Sequence, residues 1–180
     1  AYNEDGSIVV CQNGEIYNHV ELRAELEAAG HQFSSRSDTE VLAHAYEEWG
    51  DDFAEHLNGM FAVAIWDGGR RRLLLVRDRC GQKPLYYWTD GRRLVFGSEV
   101  KALLRCSCVP REPCRRAIDS YLKLRYVPEP TTMFEEVQTL PAAHRLAWAE
   151  GEGVAQPVRY WDAVSYTHLT LPTISVVSGG

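Results

Sequence analysis

Apolar residues recur along the chain in two rhythms. Ile8, Val9 and Val10 open a strand predicted over Ser7–Asn13. The rhythm then lengthens. Leu22, Leu26 and Ala29 share one helical face, and Gly30 stops that helix. Asn18 and Glu21 stand at capping-box spacing before it. Ser37 and Glu40 repeat that spacing ahead of a second stripe, Val41, Leu42, Ala45, Tyr46 and Trp49, which ends at Gly50.

From Gly59 to Ser98 the period shortens to two. Met60, Ala62, Ala64 and Trp66 fall on one face of a strand, and Phe61, Val63 and Ile65 on the other. Asp67-Gly68-Gly69 turns the chain into the apolar run Leu73–Val76. Leu85–Trp88 and Leu94–Phe96 follow, and Asp90-Gly91 between them predicts a tight hairpin. Strands apolar on both faces predict a sheet covered on both sides, by helices on one and a further layer on the other. Glu99–Leu104 reads as a short helix and Cys106–Pro113 as a connector. Ala117–Tyr126 reads as a helix closed by Pro128 and Pro130. Val137–Trp148 supplies at least one more strand.

Composition narrows the class. The 180 residues are 45% hydrophobic and 24% charged, as expected of one globular domain. A net charge of −6 leaves no excess cation for phosphates, so no nucleic-acid partner is expected. No apolar run reaches membrane-spanning length and no signal peptide opens the chain, so no membrane partner is expected either. Five irregularly spaced cysteines argue against a disulfide framework and for a cytoplasmic location. The abrupt start at Ala1 predicts a segment before it. Val164–Gly180 contains no Asp, Glu, Lys or Arg, and Ser165–Thr173 resembles translated sequencing-adaptor sequence. Residues 1–162 are therefore expected to form a partial domain, and 163–180 a non-native or disordered tail.

Candidate chemistry gathers at four places. Asn13-Gly14-Glu15-Ile16-Tyr17-Asn18 lies between the first strand and the first helix. The dipeptide alone favours a turn. Its chemical reading is an oxyanion hole, in which a side-chain amide and a glycine N–H donate to one oxygen. In Ser37-Asp38-Thr39-Glu40-Val41 a carboxylate at a helix start either stabilises the helix or holds a substrate ammonium. Arg77–Tyr87 reads as a solvated or internally paired loop, with a ligand clamp as the alternative. Cys106, Cys108 and Cys114 lack paired Cys-x-x-Cys spacing, and the six histidines show no ligand spacing, so no metal site is expected. Cys11 reads as a packed core thiol.

Taken in order with Gly59-Met60-Phe61-Ala62, Lys83-Pro84-Leu85-Tyr86-Tyr87 and Ser98-Glu99 before Lys101-Ala102-Leu103, these motifs resemble the glutaminase domain of glutamine-hydrolysing asparagine synthetases, a class II glutamine amidotransferase domain. The resemblance spans Tyr2–Asp162. It implies an α+β fold, a four-layer αββα sandwich of the N-terminal-nucleophile hydrolase type, here incomplete at its N-terminus. It also implies a mechanism: an N-terminal Cys thiolate attacks the glutamine side-chain amide, with its own α-amino group as base. Ammonia then leaves through a tunnel, and water resolves the thioester to glutamate.

By that resemblance Asn13 and Gly14 are the catalytic oxyanion donors and Glu15 belongs to the glutamine-contacting turn. Asp38 holds the α-ammonium, and Met60 lies near the start of the ammonia path. The family's terminal Cys, its carboxylate-binding Arg and its synthetase domain are absent from this sequence, so the chain alone is expected to be inactive. The expected partners are glutamine, the synthetase domain of the parent protein and, for that parent, a second copy in a homodimer. No cofactor is expected within this chain, while ATP and magnesium belong to the synthetase domain. Two alternatives stay open: the amidotransferase domain of another asparagine-synthetase-like enzyme, and a non-catalytic pseudo-amidotransferase module. A sandwich lacking its front segment is also expected to expose sheet edges.

Overall fold

The computed structural model describes residues 1–163. The tail singled out above, residues 163–180, lies outside them except for its first residue.

The chain runs β1 (Ile8–Ile16), α1 (His19–Ala29), α2 (Asp38–Trp49), a 3₁₀ turn (Gly50–Asp52), α3 (Phe53–His56), β2 (Gly59–Asp67) and β3 (Arg72–Arg77). It continues through β4 (Tyr86–Thr89), β5 (Leu94–Gly97), α4 (Val100–Leu103) and α5 (Arg115–Leu124). It closes with β6 (Gln138–Thr139), β7 (His144–Ala149), β8 (Gly153–Val154) and β9 (Val158–Arg159). One sheet has the order β1-β2-β3-β7-β8, with β9 also on β7, and the other has the order β5-β4-β6. The strand pairs in both are antiparallel.

The alternation in β2 divides the apolar interior. Phe61, Val63 and Ile65, with Ile8, Val10, Leu74 and Val76, pack beneath Leu22, Leu26, Leu42, Tyr46 and Phe53 of the helices. Ala62 and Ala64 face the opposite way, where with Leu75 and Leu146 they meet Leu85, Tyr87 and Leu140. Trp88, Leu103, Val109 and Val137 form a third cluster on the outer side of the smaller sheet. Each fully buried Leu or Phe adds about 1.5–3 kcal/mol of transfer free energy. The helix-covered face holds most of the large ones, so it anchors the fold. Among the described residues no helix is long and apolar enough to cross a membrane.

Local chemistry departs from the sequence expectation in several places. The Ser37 hydroxyl does cap α2, accepting from Thr39 N–H at 3.1 Å. Glu40, its expected reciprocal partner, turns instead to the preceding loop and accepts from Ser34 and Ser35. The Asn18 side chain makes no cap bond to α1, although the residue's backbone carbonyl accepts from Leu22 N–H at 3.1 Å. Its side chain bridges to the β2 approach, donating to His56 O at 3.0 Å and accepting from Asn58 N–H at 2.9 Å. The β4–β5 connection is Asp90–Arg93, not a two-residue turn, because Asp90 Oδ1 gathers the N–H groups of Arg92 and Arg93 at 3.1 and 2.7 Å. α5 stops at Arg125, whose left-handed φ of 68° ends it before either proline.

Candidate functional site

The site is built on the free edge of β1. In this strand the backbone N–H groups of even-numbered residues point away from β2. Ile8 N–H donates to Asn3 Oδ1 at 2.9 Å, Val10 N–H to Ala1 O at 2.9 Å, and Ile16 N–H to Asp38 Oδ2 at 3.0 Å. Gly14 has the same parity. Its register partner Phe61 directs both backbone groups to Asp78, donating to Oδ2 at 3.2 Å and accepting from the Asp78 N–H at 2.9 Å. The Gly14–Phe61 pair is therefore of the non-hydrogen-bonded kind, and the Gly14 N–H is directed off the sheet edge.

That pairing also explains why residue 14 is glycine. Its φ is +140°, and a Cβ there would lie 2.0 Å from Met60 O and 2.8 Å from Phe61 Cα. The sequence reading linked this glycine to close approach by a substrate. The neighbouring strand by itself already forbids a side chain.

Asn13 projects to the face between the sheets. Its Nδ2 donates to Ser98 Oγ at 3.0 Å, which fixes the amide and leaves its second N–H. The two residues share a cleft of about 200 Å³ with Cys11, Ala62, Ala64 and Leu85. Cys11 is exposed at that cleft, not packed in the core as expected. Glu15 is exposed on the same strand and stands opposite Met60 in the register.

Asp38 opens α2, and the strand fastens it from below. Oδ2 accepts from Gln12 Nε2 at 2.9 Å and from Ile16 N–H at 3.0 Å, while Oδ1 has no partner among the described residues. A helix start, a strand end and a glutamine side chain thus aim one carboxylate oxygen outward. The structure brings together an amide donor, an edge N–H and a free carboxylate oxygen within β1 and the first turn of α2. That donor set suits an amino acid carrying a carbonyl oxygen and an ammonium.

Arg77–Lys83 does not join this site. Arg77 is buried and donates to the carbonyls of Lys83, Gly81 and Leu140 at 2.7 Å each and to Glu129 at 2.8 Å. Asp78 is fully buried and accepts from the N–H groups of Cys80, Gln82 and Lys83 at 3.0–3.1 Å. The loop is internally paired, as one sequence reading held. Ser98 was legible only as part of a motif, and its role in orienting Asn13 depends on β5 lying across β1. The Gln12 brace on Asp38 left no sequence signal.

Comparison with known proteins places this geometry. Residues 1–161 match the family model described as a glutamine amidotransferase domain. The chain is 41% identical over 160 residues to asparagine synthetase [glutamine-hydrolyzing] 3 of Bacillus subtilis, covering 88% of this chain and 26% of that protein. It is 42% identical over 164 residues to asparagine synthetase [glutamine-hydrolyzing] 2 of the same organism, covering 88% and 22%. The corresponding synthetase 2 of Oryza sativa subsp. japonica is 48% identical over 103 residues, covering 57% and 17%. The chain spans about a quarter of the length of the Bacillus relatives it matches. Among solved structures, the glutamine phosphoribosylpyrophosphate amidotransferase of B. subtilis superposes with a TM-score of 0.60 at 20% identity, covering 89% of this chain and 31% of that one. An allosteric regulatory enzyme of purine biosynthesis gives 0.59 at 21% identity, covering 86% and 28%. The mixed α/β fold with its two sheets is thus shared with amidotransferases, and the chain belongs to the glutamine amidotransferase domain family.

Proposed function

We propose that this chain is the glutaminase part of a glutamine-hydrolysing asparagine synthetase. The observation that carries the reading is the pairing of an outward Gly14 N–H with the Ser98-oriented Asn13 amide on one strand edge. Asn13 and Gly14 stabilise the oxyanion formed at the glutamine side-chain carbonyl. Asp38 Oδ1 receives the α-ammonium, and Glu15 borders the bound amino acid. In the full-length parent, an N-terminal Cys sulfur bonds to the amide carbon and the C–N bond breaks. Ammonia departs, and water cleaves the thioester to glutamate. Met60, Ala62 and Ala64 line the apolar start of the ammonia path.

In the parent, ammonia passes to aspartate activated with ATP and magnesium at a synthetase domain, and two such parents form the homodimer. The three apolar clusters support reading the domain as a four-layer αββα sandwich. The free state of all five cysteines supports a cytoplasmic setting. An amidotransferase domain serving another acceptor is the second reading, favoured by the equal fit of this half-site to any glutamine-fed enzyme.

The test is glutamate release by the full-length parent. Asn13→Ala lowers kcat by about 10²–10³-fold, the effect of one lost oxyanion donor. Asp38→Asn acts chiefly on KM for glutamine. Unchanged kinetics in both variants contradict the assignment.

A further inference from the structure

A second cluster lies away from the glutaminase site, where the N-terminal hairpin, residues 1–10 closed by the Tyr2–Val9 bridge, meets the helices. Glu4, His31, His44 and Glu47 bring one ligand atom each within 4.8 Å of one another. The N–O separations are 3.3 Å (His44 Nδ1 to Glu47 Oε2), 3.5 Å (His44 Nδ1 to Glu4 Oε2), 3.7 Å (His31 Nδ1 to Glu47 Oε2) and 3.9 Å (His31 Nδ1 to Glu4 Oε1). A tetrahedral zinc ion with bonds of about 2.0–2.1 Å sets ligand atoms about 3.3–3.4 Å apart. Three of the four observed nitrogen–oxygen edges lie within about 0.4 Å of that figure and the fourth, to the other oxygen of Glu4, is 3.9 Å, so a modest inward shift of Glu4 and His31 closes the cluster on an ion.

The surroundings orient each donor toward the common centre. Glu48 Oε2 lies 3.2 Å from His31 Nε2, which keeps the ring proton on Nε2 and leaves the Nδ1 lone pair facing the carboxylates. Asn3 Nδ2 donates to Glu47 Oε1 at 2.8 Å, so Oε2 is the oxygen turned inward. Asn3 is itself buried and bonded to the Ile8 N–H. Gln32 N–H donates to Glu4 Oε1 at 2.9 Å. His44 is wholly buried beside the Phe33 ring, 4.3 Å between centroids, and its Nε2 has no partner. Its Nδ1 is then the ring's one bonded atom, and it points into the cluster. His44 and Glu47 are three apart on α2 and so share a face.

We propose that Glu4, His31, His44 and Glu47 bind a divalent cation of the zinc type, clipping the segment before β1 to α2 and the α1–α2 connection. Two carboxylates neutralise the ion, and two imidazoles select a nitrogen-preferring metal over magnesium or calcium. The role is structural, since all four protein ligands close the site.

The test uses the full-length protein, purified metal-free, with Zn2+ and Co2+ as probes. Co2+ is expected to give the visible absorption of a tetrahedral nitrogen–oxygen site with no thiolate charge-transfer band. Zn2+ is expected to raise Tm. His31→Gln and Glu47→Gln, both at partly exposed side chains, are expected to remove that absorption while metal-free circular dichroism stays unchanged. Glu48→Gln, which alters only the outer partner of His31, is expected to weaken Zn2+ binding about 10–100-fold. The Cys106 and Cys108 sulfurs, 2.9 Å apart, are the competing ligands. Cys106→Ser with Cys108→Ser is expected to leave the signal intact. Loss of the signal in that double variant overturns the proposal. So does its survival in His31→Gln and Glu47→Gln, or an absence of Zn2+ binding to the folded wild type.

Discussion

Glu40 carries two roles that a sequence pattern merges into one. Burial alone would raise its pKa, but hydrogen bonds from Ser35 and Ser34, backbone and side chain, bring it down to about 2. The folded state therefore favours the carboxylate. That stabilisation is complete above the ordinary value near 4.5 and is lost as pH falls from about 4.5 to about 2. Glu40→Gln should lower unfolding free energy by about 2–3 kcal/mol at pH 7 and flatten the acid limb of the stability curve, measured by urea unfolding across pH. An equally steep acid limb in the variant counts against this account. The Ser37 cap was legible because a serine before a helix has few other uses. The direction Glu40 takes was not, because spacing cannot distinguish the cap N–H from the serines of the loop before it. Ser98 offers a parallel case at the proposed glutamine site. Ser98→Ala should lower kcat of the parent about tenfold with little change in KM, because the Asn13 amide loses its orientation and keeps its donor.

At the scale of elements, β2 was read correctly because period-two alternation survives where both faces are buried, whereas β1 runs three residues past the predicted Asn13, through the Asn-Gly pair that alone favoured a turn, because its ladder with β2 continues to Ile16. β8 and β9 are two residues each and too short to carry any period, and the sequence reading missed them. The β1–β2 pair makes a sharp prediction about two glycines. Gly14→Ala puts a Cβ 2.0 Å from a β2 carbonyl and should cost more than about 4 kcal/mol, or prevent folding. Gly30→Ala meets nothing within 4 Å and bears only the strain of φ +108°, about 1 kcal/mol. Chemical denaturation of both variants checks the contrast, and similar losses would contradict the register. Asp78 ties the β3–β4 loop to β2 through four backbone N–H groups. Asp78→Ala strands those donors and should cost at least about 3 kcal/mol, measured the same way.

At the scale of the whole molecule, two surfaces lack cover among the described residues. The Gln12–Gly14 stretch of β1 is an open sheet edge, and Ile118, Tyr121, Leu122, Leu124 and Tyr126 are exposed on and after α5. Free edges and apolar stripes drive association. The 180-residue chain should therefore sediment as a concentration-dependent mixture of species, and Leu122→Glu should shift it toward monomer. A single monodisperse species in the unaltered chain argues against this. The overall architecture was legible from strands apolar on both faces. The histidine–glutamate cluster was not, because its members come from the N-terminal hairpin, the α1–α2 connection and α2, and only folding brings them together. The residues of the proposed half-site were named by motif, while their bracing by Gln12 and Ser98 required the tertiary structure.

The most direct measurement is a crystal structure of the full-length parent with its nucleophile disabled and glutamine bound. The account predicts the side-chain carbonyl oxygen about 2.7–3.1 Å from both Asn13 Nδ2 and Gly14 N, with the ammonium against Asp38. Glutamine bound away from the β1 edge, or with its carbonyl turned from those two donors, contradicts it.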